Sequence, residues 1–218
     1  LGEEKYRFHD HDKLAHYANA ATDIEFQMPF GFKEVEGIHS RTNFDLGSHA
    51  KHSGKKIEYF DPEINQSYTP YVIETSIGVD RMFLSVMCSA YEEQALEGGD
   101  TRVVLHLPPV LAPVKACVMP LVKKDGLPEK AREIMDMLKF DFKVAYDEKD
   151  SIGKRYRRQD AVGTPFCITV DHDTLNDGCV TVRYRDTMTQ DRVRIEDLHA
   201  LIYQAVDAKN LYRQIVNG

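Results

Sequence analysis

Between residues 71 and 90 the apolar period of the sequence changes within a few positions, and this limits what the chain can fold into. Tyr71-Val72-Ile73-Glu74-Thr75-Ser76 reads as a strand that ends in Gly78. Asp80 then stands where it can cap a helix carrying Phe83, Leu84, Val86, Met87 and Ala90, an apolar face expected to be close to full burial. On the strand, Glu74 and Ser76 share one face. Gly78 permits close approach of a ligand to the backbone, and Arg81 falls in the first helical turn, where free N–H groups and the helix dipole favour an anion. A carboxylate, a hydroxyl, a tight glycine and an arginine at a helix start suit a ligand with an ammonium and a polyphosphate. A plain strand–turn–helix joint with a surface ion pair has the same spacing, and from spacing alone it is the commoner reading.

The residues before this joint read as β-rich. Asp23-Ile24-Glu25-Phe26-Gln27-Met28 alternates polar and apolar positions, as does Glu34-Val35-Glu36-Gly37-Ile38. The residues after it alternate element types. Val114–Met119, Phe142–Tyr146, Phe166–Val170 and Cys179–Tyr184 read as strands. Pro128–Lys139, with proline in its opening turn, and a last segment from about Ile195 into Val206 read as helical, and Ser151–Asp160 as a basic helix or turn. The expected fold class is therefore α/β (α+β), with a mixed sheet in the second half. Charge divides the chain in the same way: residues 1–112 carry 10 basic and 18 acidic groups, a net −8, while residues 113–218 carry 18 and 17, a net +1. Glu97-Gly98-Gly99-Asp100 and Leu107-Pro108-Pro109 place a boundary between about 100 and 113, giving domains 1–107 and 108–218.

Composition and motifs exclude several classes. With 42% hydrophobic and 29% charged residues the chain is neither disordered nor fibrous. No apolar run approaches the length of a membrane span, and Leu1-Gly2-Glu3-Glu4 is no signal peptide. Four separated cysteines (Cys88, Cys117, Cys167, Cys179) suit small buried thiols, so a reducing cytoplasm is expected; the missing initiator Met points to an N-terminus trimmed or excised from a longer chain. His9-Asp10-His11-Asp12, with His16, His39, His49 and His52, follows no zinc spacing and reads as hydrated polar turns, so no metal site is expected. There is no Gly-x-Ser-x-Gly elbow, Walker loop or dinucleotide glycine pattern. The run Lys154-Arg155-Tyr156-Arg157-Arg158 is either a phosphate-contacting patch or a solvated helix face paired with Asp147, Glu148, Asp150 and Asp160.

Gly78-Val79-Asp80-Arg81 before an apolar helix resembles motif 3 of class II aminoacyl-tRNA synthetases, and the longer stretch Pro70–Arg81 is similar to that of homodimeric glycyl-tRNA synthetases. Glu34–Leu46, His52-Ser53-Gly54-Lys55, Tyr59-Phe60-Asp61 and Ala15-His16-Tyr17-Ala18 continue the likeness. In the second half it is carried by Ala112-Pro113, Ser151–Tyr156, Asp160–Pro165 and Val180–Arg183, so it covers nearly the whole chain in the family's order. The resemblance implies part of an antiparallel-sheet catalytic domain followed by a mixed-sheet anticodon-binding domain, and a glycine–tRNA ligase that makes glycyl-adenylate from ATP and passes glycine to tRNA(Gly). It implies that Glu74, Thr75, Ser76, Ile77 and Gly78 face glycine, and that Glu34, Val35, Gly78, Val79, Asp80 and Arg81 face ATP, with Glu34 equally placed to reach the substrate's ammonium. Glu74 and Arg81 would be the catalytic pair, with Mg2+ arriving on ATP and no other cofactor. It further implies a homodimer in the full-length enzyme and a tRNA role for the second domain, for which Lys154, Arg155, Arg157 and Arg158 are the candidate contacts without the resemblance deciding between them and the solvated-face reading. Motifs 1 and 2 are not in this sequence, so a portion inactive on its own is expected. The rival is a non-catalytic tRNA- or nucleic-acid-binding module of synthetase-like architecture, which would have little reason to keep Glu74 with Gly78–Arg81. Prolyl, threonyl or histidyl relatives fit less well with Gly37-Ile38-His39-Ser40-Arg41-Thr42 and the Glu74-x-Ser76 pair.

Overall fold

Where polar and apolar residues alternate near the start of the chain, the backbone is extended and its strands pair antiparallel. The computed structural model describes residues 3–217 and divides into two units, one up to Ser89 and one from Ala90. The first contains β1 (Tyr6–Asp10), β2 (Ala20–Met28), β3 (Gly31–Ser40), α1 (Phe44–Ser53), β4 (Tyr59–Asp61), β5 (Gln66–Tyr68), β6 (Ile73–Ile77) and nearly all of α2 (Val79–Ala90). Its main sheet runs β1-β2-β3-β6 with every pair antiparallel, and β4 and β5 form a separate hairpin.

Phe26, Met28 and Val35 form a small core beneath this sheet, with Ile24 and Cys88 of α2 packed on it. The patch is too small to cover the helix. Contrary to the expected burial of its apolar face, Phe83 is 65% exposed and Leu84 is exposed too. Asp80 does not cap the helix either: α2 starts at Val79, and Asp80 lies inside the first turn, where it still complements the dipole.

The second unit holds β7 (Tyr91–Ala95), β8 (Thr101–Leu105), β9 (Ala116–Pro120), α3 (Leu127–Leu138), β10 (Val144–Tyr146), α4 (Ile152–Ala161), β11 (Phe166–Val170), α5 (Thr174–Asp177), β12 (Cys179–Tyr184), β13 (Gln190–Arg194), α6 (Leu198–Val206) and α7 (Ala208–Asn217). Its sheet is mixed, in the order β10-β9-β11-β12-β13: β9 is parallel to β10 and β11, while β12 and β13 pair antiparallel. Central β9 is buried along its whole length because both faces are covered. Ala116 and Val118 meet Leu127, Ala131, Ile134 and Leu138 of α3, while Cys117 and Met119 meet Ile152 and Tyr156 of α4.

The division after Ser89 lies upstream of the boundary read from composition at 107/108. The β7–β8 hairpin accounts for the difference. Buried Arg102 on β8 donates to Asp160 of α4 at 2.9 Å and to the Arg185 carbonyl at 2.9 Å, tying the hairpin to the mixed sheet. Prolines and charge shifts mark where a loop runs, and contacts decide what folds with what.

Candidate functional site

Backbone hydrogen bonds from a neighbouring strand close the strand–helix joint. Gly78 N donates to Val35 O at 3.2 Å, and Met82 N donates to Gly78 O at 2.8 Å as α2 begins. Arg81 turns back over β3, its Nη1 donating to Glu34 O at 2.9 Å and to Glu34 Oε2 at 3.2 Å. Glu34-Val35 and Gly78–Arg81, distant in sequence, are thus clasped together. Both side chains are about half exposed, at 56% for Arg81 and 49% for Glu34, so an incoming polyanion meets an arginine whose partner is easily exchanged.

Glu34 faces this way because of a bulge. The β2–β3 register shifts between Ile24 and Glu25: Gly37 opposes Asp23 and Glu36 opposes Ile24, but Glu34 opposes Glu25, leaving Val35 as the extra residue. Regular alternation would put Glu34 and Glu36 on one face. The bulge instead turns Glu34 toward Gly37, where its Oε1 lies 3.7 Å from the position a Gly37 Cβ would take. Asp23 Oδ1 at 3.4 Å and His39 Cε1 at 3.1 Å crowd the same point, so a side chain at Gly37 would push these groups apart.

Across the β3–β6 ladder, Ser76 opposes Gly37 and Glu74 opposes His39. Glu74 and Ser76 therefore share a face with Asp23, Gly37 and His39. Thr75 and Ile77 point to the other face, opposite Ile38 and Glu36, and only their backbone could reach the first. Glu74 is held by Arg41, whose Nη1 donates to Glu74 Oε2 at 2.6 Å. Arg41 also donates from Nε to Asp45 Oδ2 at 2.6 Å and from Nη2 to Asp45 Oδ1 at 3.1 Å, and lies 4.1 Å from the Tyr17 ring centroid. These hydrogen bonds from Arg41 hold the Asp45 carboxyl below the usual carboxylate range. The sequence reading gave Arg41 no role. Its four-residue spacing from Asp45 was the available signal, but the pairing with Glu74 is purely tertiary.

Gly78 is not required by its own backbone. Its φ is not positive, and an added Cβ would make only ordinary contact with the Arg81 stem, at 3.6–3.7 Å. The histidine-rich run lies on β1 and its end, where His9 Nδ1 is 3.3 Å from Glu25 Oε1 and His11 Nε2 is 2.8 Å from Asp23 Oδ2. Among the described residues, no three His, Cys, Asp or Glu side chains are grouped to hold a metal ion.

The basic run on α4 resolves mostly into internal pairing. Arg155, expected on tRNA, is 3% exposed and donates to the carbonyls of Pro120 (2.6 Å), Leu121 (3.1 Å) and Asp147 (3.3 Å). It satisfies strand-end carbonyls and cannot reach a phosphate. Arg157 pairs with Asp100, and Arg158 with Asp147 at 2.8 Å and Asp150 at 2.9 Å. Of the four cations named, Lys154 alone is exposed and without an ion pair among the described residues.

Comparison with known proteins agrees with the fold. The anticodon binding domain family matches residues 115–204, within the mixed-sheet unit. The chain is 55% identical over 195 residues to the glycine–tRNA ligase of Chlorobaculum tepidum, covering 89% of this chain and 41% of that protein. It is 53% identical over 200 residues to that of Borrelia hermsii (91% and 45%) and 54% identical over 213 residues to that of Clostridium perfringens (95% and 45%). The chain thus spans less than half the length of these curated relatives. By sequence it is similar over most of its length to part of these glycine–tRNA ligases, and its mixed-sheet unit carries the match to the anticodon binding domain family.

Proposed function

We propose that this chain belongs to a cytoplasmic, homodimeric class II glycine–tRNA ligase and supplies part of its activation site together with its anticodon-binding domain. In this reading the glycine carboxylate attacks the α-phosphorus of ATP, which arrives with Mg2+ as the substrate complex; pyrophosphate leaves and glycyl-adenylate forms. A terminal hydroxyl of tRNA(Gly) then attacks the glycyl carbonyl and AMP leaves. Glu74 and Ser76 receive the ammonium of glycine, with the Thr75–Gly78 backbone as one wall. Glu34, Val35 and Gly78–Arg81 line the ATP side. Arg81 leaves Glu34 to neutralise the terminal phosphates as charge builds on the leaving group, a positioning and electrostatic role. Glycine at position 78, which its backbone does not require, leaves room for that nucleotide. Rejecting alanine turns on one methyl, for which attraction alone supplies only about 1–3 kcal/mol, so contact with the wall must add a steric penalty.

The observation that carries this reading is the clasp of Glu34-Val35 to Gly78–Arg81 beside the face shared by Glu74 and Ser76, in a chain more than half identical to glycine–tRNA ligases. On the tRNA side Lys154 remains available as it stands. Arg157 and Arg158 could engage phosphate only by leaving their aspartates, and Arg155 is withdrawn from the contact set. The test is glycine-dependent ATP–pyrophosphate exchange by the full-length enzyme. Arg81→Ala is expected to lower the rate by orders of magnitude, and an unchanged rate would refute the assigned role.

A further inference from the structure

Activation and transfer make different demands on the protein. Glycine attacks ATP through a carboxylate that is already ionised, so that step releases no proton. The tRNA hydroxyl that attacks the adenylate must lose one, and a positioned base speeds such a step. Around the sheet face shared by Glu74 and Ser76, the ionisable side chains pair with one another. Arg7 and His9 lie on Glu25, His11 Nε2 is 2.8 Å from Asp23 Oδ2, Glu34 pairs with Arg81, and Glu74 with Arg41. His39 is the exception. It lies on β3 rather than in a hydrated turn, is partly buried, and has neither a hydrogen bond nor an ion pair among the described residues. Its ring meets that of His11 edge-on, with centroids 6.2 Å apart. Register sets where it stands. His39 lies between Ala21 and Glu74 on the ladder, and the small Ala21 leaves space beside the imidazole. The ring leans toward Gly37, its Cε1 3.1 Å from the position of a Gly37 Cβ, and Gly37 faces Ser76. The imidazole is thus next to both side chains assigned to the glycine ammonium, and the reacting carbonyl is bonded to the carbon that bears that ammonium.

We propose that His39 is the base that takes the proton of the attacking tRNA hydroxyl; the proposal rests on the glycine–tRNA ligase reading above. The hydroxyl oxygen bonds to the glycyl carbonyl carbon as its proton passes to a ring nitrogen. The bond from that carbon to the phosphate oxygen breaks, and AMP leaves with the electron pair. The imidazolium then gives its proton to water. The titratable and charged groups that face the ring are Asp23 from β2, Glu34 from β3, Glu74 from β6 and His11 from the end of β1, with Arg41 bound to Glu74. Each of these is already engaged, so His39 is left with a free ring nitrogen for an incoming hydroxyl.

The experiment uses the full-length enzyme as wild type, His39→Gln and His39→Ala. Single-turnover transfer of glycine from the enzyme-bound adenylate to tRNA(Gly) is compared with glycine-dependent ATP–pyrophosphate exchange. Relative to exchange, transfer should fall about a hundredfold or more in both variants. The wild-type transfer rate should rise with pH between about 5 and 8, the range in which imidazoles titrate, and His39→Gln should lose that rise. Transfer and exchange falling by the same factor, with a raised KM for glycine, would make the ring an ammonium contact and overturn the proposal. So would unchanged transfer in either variant. A wild-type transfer rate that stays flat across that pH range would overturn it too, and this measurement needs no variant to fold. Wild-type enzyme without glycine-dependent exchange would instead bring down the ligase reading, and this proposal with it.

Discussion

Asp160 is the residue on which the second unit is most exacting. Its carboxylate is buried between Arg102 at 2.9 Å and Arg183 at 2.7 Å, joining β8, α4 and β12. Such a network need not stabilise more than an apolar core would, but removing one member strands the others. Asp160→Asn is therefore expected to destabilise the protein by about 3–5 kcal/mol, read from the shift of its denaturant midpoint by circular dichroism. Asp186 has a milder, pH-dependent role. Burial would raise its carboxyl, but hydrogen bonds from Arg185 and His106 outweigh this and hold it below the usual carboxylate range. A carboxyl depressed in the folded state stabilises above its unfolded pKa of about 3.9, and the contribution is lost as pH falls through the lower folded value. The melting temperatures of wild type and Asp186→Asn should differ at pH 6 and converge as pH drops below about 4. Burial pushes the Cys117 thiol up to about 12 and raises Cys167 further, in keeping with the small buried thiols read from the sequence.

At the scale of elements, legibility follows how much of the reason for a structure is local. Strands β11 and β12 form over the residues read as strands, Phe166–Val170 and Cys179–Tyr184, and α3 forms within one residue of Pro128–Lys139. These segments carry a clear period, turn residues at their ends and, in α3, a proline at the start. Leu138 lies fully inside the cluster that α3 forms with the sheet, so Leu138→Ala should cost about 2–5 kcal/mol, again as a denaturant-midpoint shift. The β7–β8 hairpin was not legible, because Tyr91-Glu92-Glu93-Gln94-Ala95 has no apolar alternation and its partners arrive from residues 160 and 185. Helix α7 was missed past the break at Asp207 even though Ala208, Leu211, Tyr212 and Ile215 recur at helical spacing, and its apolar residues Tyr212, Ile215 and Val216 are exposed. The expected burial of the α2 face failed because a strong apolar period says which residues seek cover and not whether cover is present.

Across the whole molecule, a net charge of −7 coexists with a match to the anticodon binding domain family, so in the proposed reading tRNA affinity has to come from local cations and stacking. These 218 residues alone are expected to bind tRNA weakly, with affinity falling steeply as salt rises, and to give no ATP–pyrophosphate exchange; a filter-binding titration at several ionic strengths beside an exchange assay checks both. The amino acids by themselves determined the periodic strands and helices, the glycine-marked joint at residue 78 and the order of motifs that carries the likeness to glycyl-tRNA synthetases. All of these rest on neighbours a few positions apart. Only the tertiary structure decided that a one-residue bulge turns Glu34 onto the face of Gly37, that Arg41 holds Glu74, and that Arg155 is walled in while Arg157 and Arg158 are paired. Side-chain direction along a strand reverses with a single step of register, and the fate of a charge depends on which distant groups take it from water; neither quantity is written in the spacing of nearby residues.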